Sequence, residues 1–234
     1  MFDMEFVKRE NEIFRVLKRL TGEKLDFIVV GGYAVSSLAK HRFSVDCDTV
    51  VPKRELKRFE EILEEEGFEK HVMKTGFDEI YAGEFVSYKK EVNKLPVTVD
   101  ILVRSLVCRA TGAAWSFDYI KKNSIEANIT GLETSVVCRI PEKELLIAFK
   151  VHSARRADVR DIVMLREDAK FETILKHVKK SGEEALREQI QRITEALKDP
   201  NMVDSLKGVF VLSVDVKKQI ESTRKDMKAI LTAI

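Results

Sequence analysis

Apolar and polar residues follow two textures along this chain. Up to about residue 140, short apolar runs are separated by turns marked with glycine or proline. Beyond Pro141, apolar residues recur every three or four positions, and the chain reads as almost wholly helical. In the first part, Phe6, Val7, Ile13, Phe14, Leu17 and Leu20 fall at helical spacing over residues 4–20, and Thr21-Gly22 ends that helix. Leu25 to Val30 predicts a strand. Asp46 to Val51, closed by Pro52, predicts a second. Lys53 to Glu66 places Leu56, Phe59, Ile62 and Leu63 on one helix face, and Gly67 stops it. Residues 68–90 mix aromatic and β-branched with polar residues and predict one or two antiparallel strands, with further strands over Pro96–Val103 and Ser135–Ile140. Trp115, Phe117 and Tyr119 alternate, and core packing is the expectation for them. Pro141-Glu142 opens a helix. More helices are predicted at about 170–180, 183–198 and 214–232, with Phe210-Val211-Leu212 as a buried connector. The expected architecture is α/β (α+β): a small mixed β-sheet over residues 1–140 and a helical C-terminal domain over 141–234.

The stretch FIVVGGYAVSSLAKHRFSVDCDTVV, residues 27–51, carries the chemistry. It reads as strand, glycine turn, short helix from near Tyr33, and strand. Strand side chains repeat every two residues, so Asp46 and Asp48 point to one face. Two adjacent carboxylates repel, and burying them unpaired is costly; a divalent cation between them removes that cost. An all-oxygen ligand set favours Mg²⁺, which pairs carboxylates with substrate phosphates. Gly31 and Gly32 allow a sharp turn and close approach of a phosphate, and the helix after them would aim its N-terminal amides at it. Arg42 and Ser44 are further candidate donors. Downstream, Asp100 is the one charge in the apolar run Pro96 to Val103, an expensive placement unless it is paired or binds metal.

Val30-Gly31-Gly32, a short spacer, then Asp46-Cys47-Asp48-Thr49, with Asp100 on a later strand, resembles the signature of the DNA polymerase β-like nucleotidyltransferase superfamily. The resemblance covers roughly the first 140 residues. The C-terminal part is similar, more weakly, to the stand-alone nucleotidyltransferases related to abortive-infection (type IV toxin–antitoxin) toxins. In these a Lys, then Arg, then spaced Asp residues recur; here they are Lys150, Arg155, Arg156, Asp158 and Asp161. The resemblance implies transfer of a nucleoside monophosphate from an NTP to an acceptor hydroxyl, with two Mg²⁺ ions held by Asp46, Asp48 and Asp100. Gly31, Gly32, Arg42, Ser44 and Lys150 would bind the nucleotide, Lys150 by leaning toward its phosphates. Expected acceptors are RNA, tRNA first, or protein, with an antitoxin-type protein as a partner. A small-molecule acceptor of aminoglycoside type is an alternative, as is a non-catalytic antitoxin or regulatory protein. The alternative reading of Arg155, Arg156, Asp158 and Asp161 is a surface salt-bridge ladder.

Composition narrows this little. The 234 residues are 44% hydrophobic and 34% charged, enough for a sizeable core, and the net charge of +2 leaves no broad electrostatic footprint for nucleic acid. Cys47, Cys108 and Cys138 lack zinc spacing and read as core residues in a reducing cytoplasm. The charged N-terminus does not resemble a signal peptide, and no apolar run approaches membrane-spanning length, so no membrane role is expected.

Overall fold

The computed structural model describes residues 4–210 and 216–234. In chain order, the elements up to Pro141 are α1 (Met4–Gly22), β1 (Ile28–Val29), α2 (Gly31–Leu38), β2 (Asp46–Val51), α3 (Leu56–Glu65), β3 (Glu69–Lys74), β4 (Glu84–Val92) and β5 (Leu95–Val103). They continue with β6 (Ser105–Val107), β7 (Ala114–Ser116), α4 (Phe117–Lys122), β8 (Ser124–Thr130) and β9 (Ser135–Pro141). The helices that follow are α5 (Lys143–Ser153), α6 (Arg156–Leu165), α7 (Phe171–Val178), α8 (Glu183–Ala196), α9 (Met202–Val209) and α10 (Val216–Ala233). Two compact units result. The first comprises Met1–Ser37, Phe43–Leu106 and Trp115–Pro141; the second comprises Leu38–Arg42, Val107–Ala114 and Glu142–Ile234.

The first unit is built on a five-stranded mixed sheet of order β1-β2-β5-β4-β3. β2 and β5 are parallel, and the other neighbours are antiparallel. Strict alternation in β5 buries Val97, Val99, Ile101 and Val103 and leaves Thr98, Asp100 and Leu102 on the opposite face. The buried face packs on α1, through Ile13, Phe14, Leu17 and Leu20, and on α3, whose Glu60 and Glu64 accept from the Tyr88 hydroxyl. Phe6, read with that apolar stripe, is instead 41% exposed and stacks on Phe43. β4 and β5 meet in a two-residue hairpin with Asn93 and Lys94 both at positive φ, the geometry whose twist suits paired strands. β3 carries a bulge: the register slips between Lys70 and Val72, leaving His71 as the extra residue. Trp115 and Phe117 are core residues, and so are all three cysteines, which are free. β8, which pairs with β9, was not visible in the apolar pattern because its exposed positions outnumber its buried ones.

The second unit surrounds α5, whose residues Leu145 to His152 are all buried; a helix buried on every side belongs inside a bundle, and its Lys150 and His152 must find partners there. α6, α7 and α8 pack on α5. Ala154, at φ 46, stops α5 and turns the chain into α6. α9 was not predicted from the sequence. Val211 and Leu212 of the predicted connector lie outside the described residues, whereas Phe210 is buried. No helix among the described residues is long and apolar enough to cross a membrane.

His152 is packed in this unit, 0% exposed, with Nε2 2.7 Å from the Val178 carbonyl and Nδ1 2.8 Å from the Thr111 hydroxyl. A carbonyl only accepts, so Nε2 carries the proton and Thr111 donates to Nδ1. Burial pushes the imidazole down to about 4, against the smaller upward pull of the Val178 carbonyl. A neutral buried histidine binds fewer protons than the unfolded chain between pH 6.5 and 4. Stability should therefore fall by about 3 kcal/mol as pH drops through that window. Urea melts at closely spaced pH values check this; a flat profile there would show that His152 charges without penalty.

Candidate active site

Two rows of side chains cross the sheet face opposite α1 and α3. In one row Asp48 of β2 stands opposite Asp100 of β5, Asp100 opposite Ser87 of β4, and Ser87 opposite Val72 of β3. In the other, Asp46, Thr98, Lys89 and Glu69 follow the same order. The predicted pairing of Asp46 and Asp48 on one strand face therefore holds, with Cys47 buried on the other face. The strand partnership that brings Asp100 beside them joins residues 52 positions apart. Two hydroxyls that sequence reasoning did not single out orient the carboxylates. Thr98 Oγ1 donates to Asp46 Oδ1, and Ser87 Oγ donates to Asp100 Oδ1 at 2.6 Å. Thr98 was readable as a same-face neighbour of Asp100; Ser87 was not, because only the β4–β5 register places it there.

The glycine turn adjoins Asp48. Gly31 opens α2 at φ 65, and Val30 N donates to the Asp48 carbonyl at 2.9 Å. A Cβ on Gly31 would run into Asp48 Oδ2. Gly31→Ala should therefore cost both left-handed backbone strain and overpacking, about 2–4 kcal/mol together, and should displace the Asp48 carboxylate. Gly76→Ala, at φ 74 with nothing near its Cβ position, is the control and should cost only the backbone part. Equal losses in the two variants, measured by urea melts, would remove the steric contact with Asp48 from the account. Tyr33 Oη donates to the Ser44 carbonyl at 3.1 Å, and Ser44 Oγ to the Asp46 carbonyl at 3.1 Å, so the approach to β2 is tied to α2.

The donor set suits a hard cation in chemistry: every candidate ligand is an oxygen. Burial, and the Asp46 charge to a lesser degree, hold the Asp100 carboxyl above its ordinary range, while the Ser87 hydrogen bond and the His71 charge oppose this. A cation near this carboxylate would favour its charged form and bring it back down. The arrangement is one of pairs across the rows. Among the described residues, no three carboxylate, imidazole or thiol groups stand close enough to form a ready cluster.

Arg42 and Lys150, the two cations read as nucleotide contacts, belong to a network within the second unit. Arg42 grips Asp161 with two parallel bonds, Nε to Oδ1 and Nη2 to Oδ2, each 2.9 Å. Lys150 Nζ lies 2.9 Å from Asp158 Oδ1 and 2.9 Å from Asp161 Oδ2, and Arg155 Nε donates to Asp158 Oδ2 at 2.8 Å. Asp158 and Asp161 are buried, so this is an interior network instead of a surface ladder, while Arg156 pairs separately with Asp199. Burial alone would lower the Lys150 ammonium, but Asp161 and Asp158 outweigh it and hold it above its ordinary value. Burial would likewise raise the Asp158 carboxyl, but Lys150 and Arg155 bring it down to about 2.

No family model matches the sequence, and no curated relative does. Several solved structures are similar in fold. JHP933 from Helicobacter pylori is 16% identical with a TM-score of 0.49, over 100% of this chain and 94% of that one. The lincosamide antibiotic adenylyltransferase LnuA is 21% identical with a TM-score of 0.48, over 68% of this chain and 98% of that one. The antibiotic-resistance factor ANT(2'')-Ia is 15% identical with a TM-score of 0.41, over 95% and 92%.

Proposed function

We propose that this chain is a Mg²⁺-dependent nucleotidyltransferase that moves a nucleoside monophosphate from an NTP to an acceptor hydroxyl, of RNA first and of protein second. One observation carries the reading: Asp48 stands in register opposite Asp100, with Asp46 on the same strand face and the positive-φ turn at Gly31 against Asp48. A glycine turn that admits a phosphate, next to paired strand carboxylates, is what metal-assisted phosphoryl transfer needs.

Asp46 and Asp48 would hold the metal, with Asp100 opposite. When bound, Mg²⁺ would neutralise charge on the phosphates. Gly31 and Gly32, at the start of α2, present backbone amides to the triphosphate, and Ser44 holds the approach to β2 in place. Asp100, in register opposite Asp48, is placed to accept the proton of the acceptor hydroxyl. Ser87 occupies one of its oxygens and leaves the other for that proton. Arg42 and Lys150, already engaged with Asp161 and Asp158, serve to fix the helices of the second unit.

The test is incubation with Mg²⁺ and each labelled NTP against bulk RNA, lysate protein and aminoglycosides in parallel. Addition of one or a few nucleotides to RNA is the expected product, because a net charge of +2 provides no long track to hold a growing strand. Ladders hundreds of nucleotides long would sink limited addition, and label on aminoglycosides alone would overturn the macromolecular acceptor.

A further inference from the structure

We propose that the acceptor is a phosphate-bearing nucleic-acid end that enters over β4 and β3, and that Lys89 and His71 position its phosphate beside Asp100. The inference rests on the nucleotidyltransferase reading of the same site and adds the side of entry, the chemistry of the acceptor and the residues that hold it.

Direction comes first. In an in-line displacement the attacking and leaving oxygens lie on opposite sides of the phosphorus. The glycine turn that takes the triphosphate is at the β1–β2 end of the two rows, so the acceptor hydroxyl must come from the other end, across β5 toward β4 and β3. At that end Ser87 is buried and committed to Asp100. Other polar side chains there are Lys89 and Glu69 in the neighbouring row, Glu91 beyond them, Lys74 opposite Phe85, and His71 at the bulge.

The lysines at this corner differ in how far they are compensated. Lys70 pairs with Glu60 at 2.6 Å and Lys90 with Glu12 at 2.6 Å, both on the helix-covered side. Among the described residues Lys89 pairs with Glu91 at 4.0 Å, the outer limit of an ion pair, and its side chain is 38% exposed. Its charge is therefore more available than those of Lys70 and Lys90. His71 is exposed, and the bulge takes its side chain out of the strict alternation of β3. Its charge is felt at Asp100, two strands away. Both residues line an open cleft of about 440 Å³ at the end of β3 and β4, together with Gly67, Glu69, Lys70, Lys90 and Glu91. The Lys89 ammonium and the His71 imidazole, set beside Glu69 and Glu91, can both donate to one phosphate but form no long basic track. That matches addition at a single acceptor end.

The experiment uses the full chain with Mg²⁺, a labelled NTP and a 5′-fluorescent single-stranded RNA. Two readouts are taken: RNA binding by anisotropy over a salt series, and steady-state transfer to the same RNA. Lys89→Ala and His71→Ala should each raise the Kd and KM for RNA about five- to tenfold, with kcat and the KM for NTP within about twofold. Lys89→Ala should also reduce the salt slope by about one, and Glu91→Gln should tighten binding. A wild-type enzyme that labels RNA, with variants whose Kd and KM stay within about twofold, overturns this inference and leaves the nucleotidyltransferase reading intact. Label on an aminoglycoside but not on RNA also overturns it. A wild-type chain that turns over no NTP with any acceptor overturns the reading itself, and this inference with it.

Discussion

Asp46→Asn and Asp48→Asn should each fold normally and lose on the order of a thousandfold or more in nucleotide transfer, as loss of a metal ligand in phosphoryl transfer requires. Folding should survive because neither carboxylate supports the core. Asp46 is exposed, Asp48 is half-buried, and the side chains on the packed face beneath them belong to Cys47, Thr49 and Val51. Removing one negative charge from beside Asp100 and the other β2 carboxylate should leave stability unchanged or slightly raised. Activity should fall because asparagine keeps the shape and removes the charge that a cation needs. Thermal melts provide a second readout. Mg²⁺ with NTP should raise the melting temperature of the wild type and do little for either variant, since a ligand stabilises only the state it binds. Wild-type activity in both variants would remove the metal assignment from β2.

Lys150→Ala should destabilise the second unit by about 3–5 kcal/mol, the usual cost of leaving a buried charge without its partner. The side chain of Lys150 is 8% exposed and those of Asp158 and Asp161 are 1% each, so water cannot replace the lost ammonium. Arg155 and Arg42 would still compensate Asp158 and Asp161 in part, which sets the loss at the lower end of the range. The depressed Asp158 carboxyl gives a pH signature. Its contribution is present above the ordinary value of 3.8 and is lost as pH falls toward 2. In Lys150→Ala much of that depression should vanish, so the gap in stability between wild type and variant should narrow as pH falls through this window. Denaturant melts across pH check both statements. A variant within about 1 kcal/mol of wild type, but with a raised KM for NTP, would instead return Lys150 to the role of phosphate contact.

The features legible in the chain itself are those set by near neighbours. Strand alternation puts Asp46 and Asp48 on one face and Cys47 on the other whatever lies next to β2, because the two-residue repeat is a property of the backbone. The glycine turn before α2 is local too, although its reason, the Asp48 carboxylate against Gly31, is not. Helical spacing likewise marked α1, α3 and the long helices after Pro141, from contacts within one or two turns.

Only the tertiary structure decided which partners those elements meet. The parallel pairing of β2 with β5, the Ser87 and Thr98 hydroxyls and the bulge at His71 depend on strand register, which spacing along one strand does not specify. Residues 38–42 and 107–114 join the helical unit although their sequence neighbours belong to the first. Lys150 shows the difference most plainly. Its spacing to Asp158 and Asp161 was readable, but Ala154 breaks the helix between them and folds α6 back onto α5. That chain reversal, with burial, turns three charges that would lie apart on one continuous helix into an ion-paired interior. Charge pairing in a core depends on distance in space and on the exclusion of water, and neither is a property of the chain's local pattern.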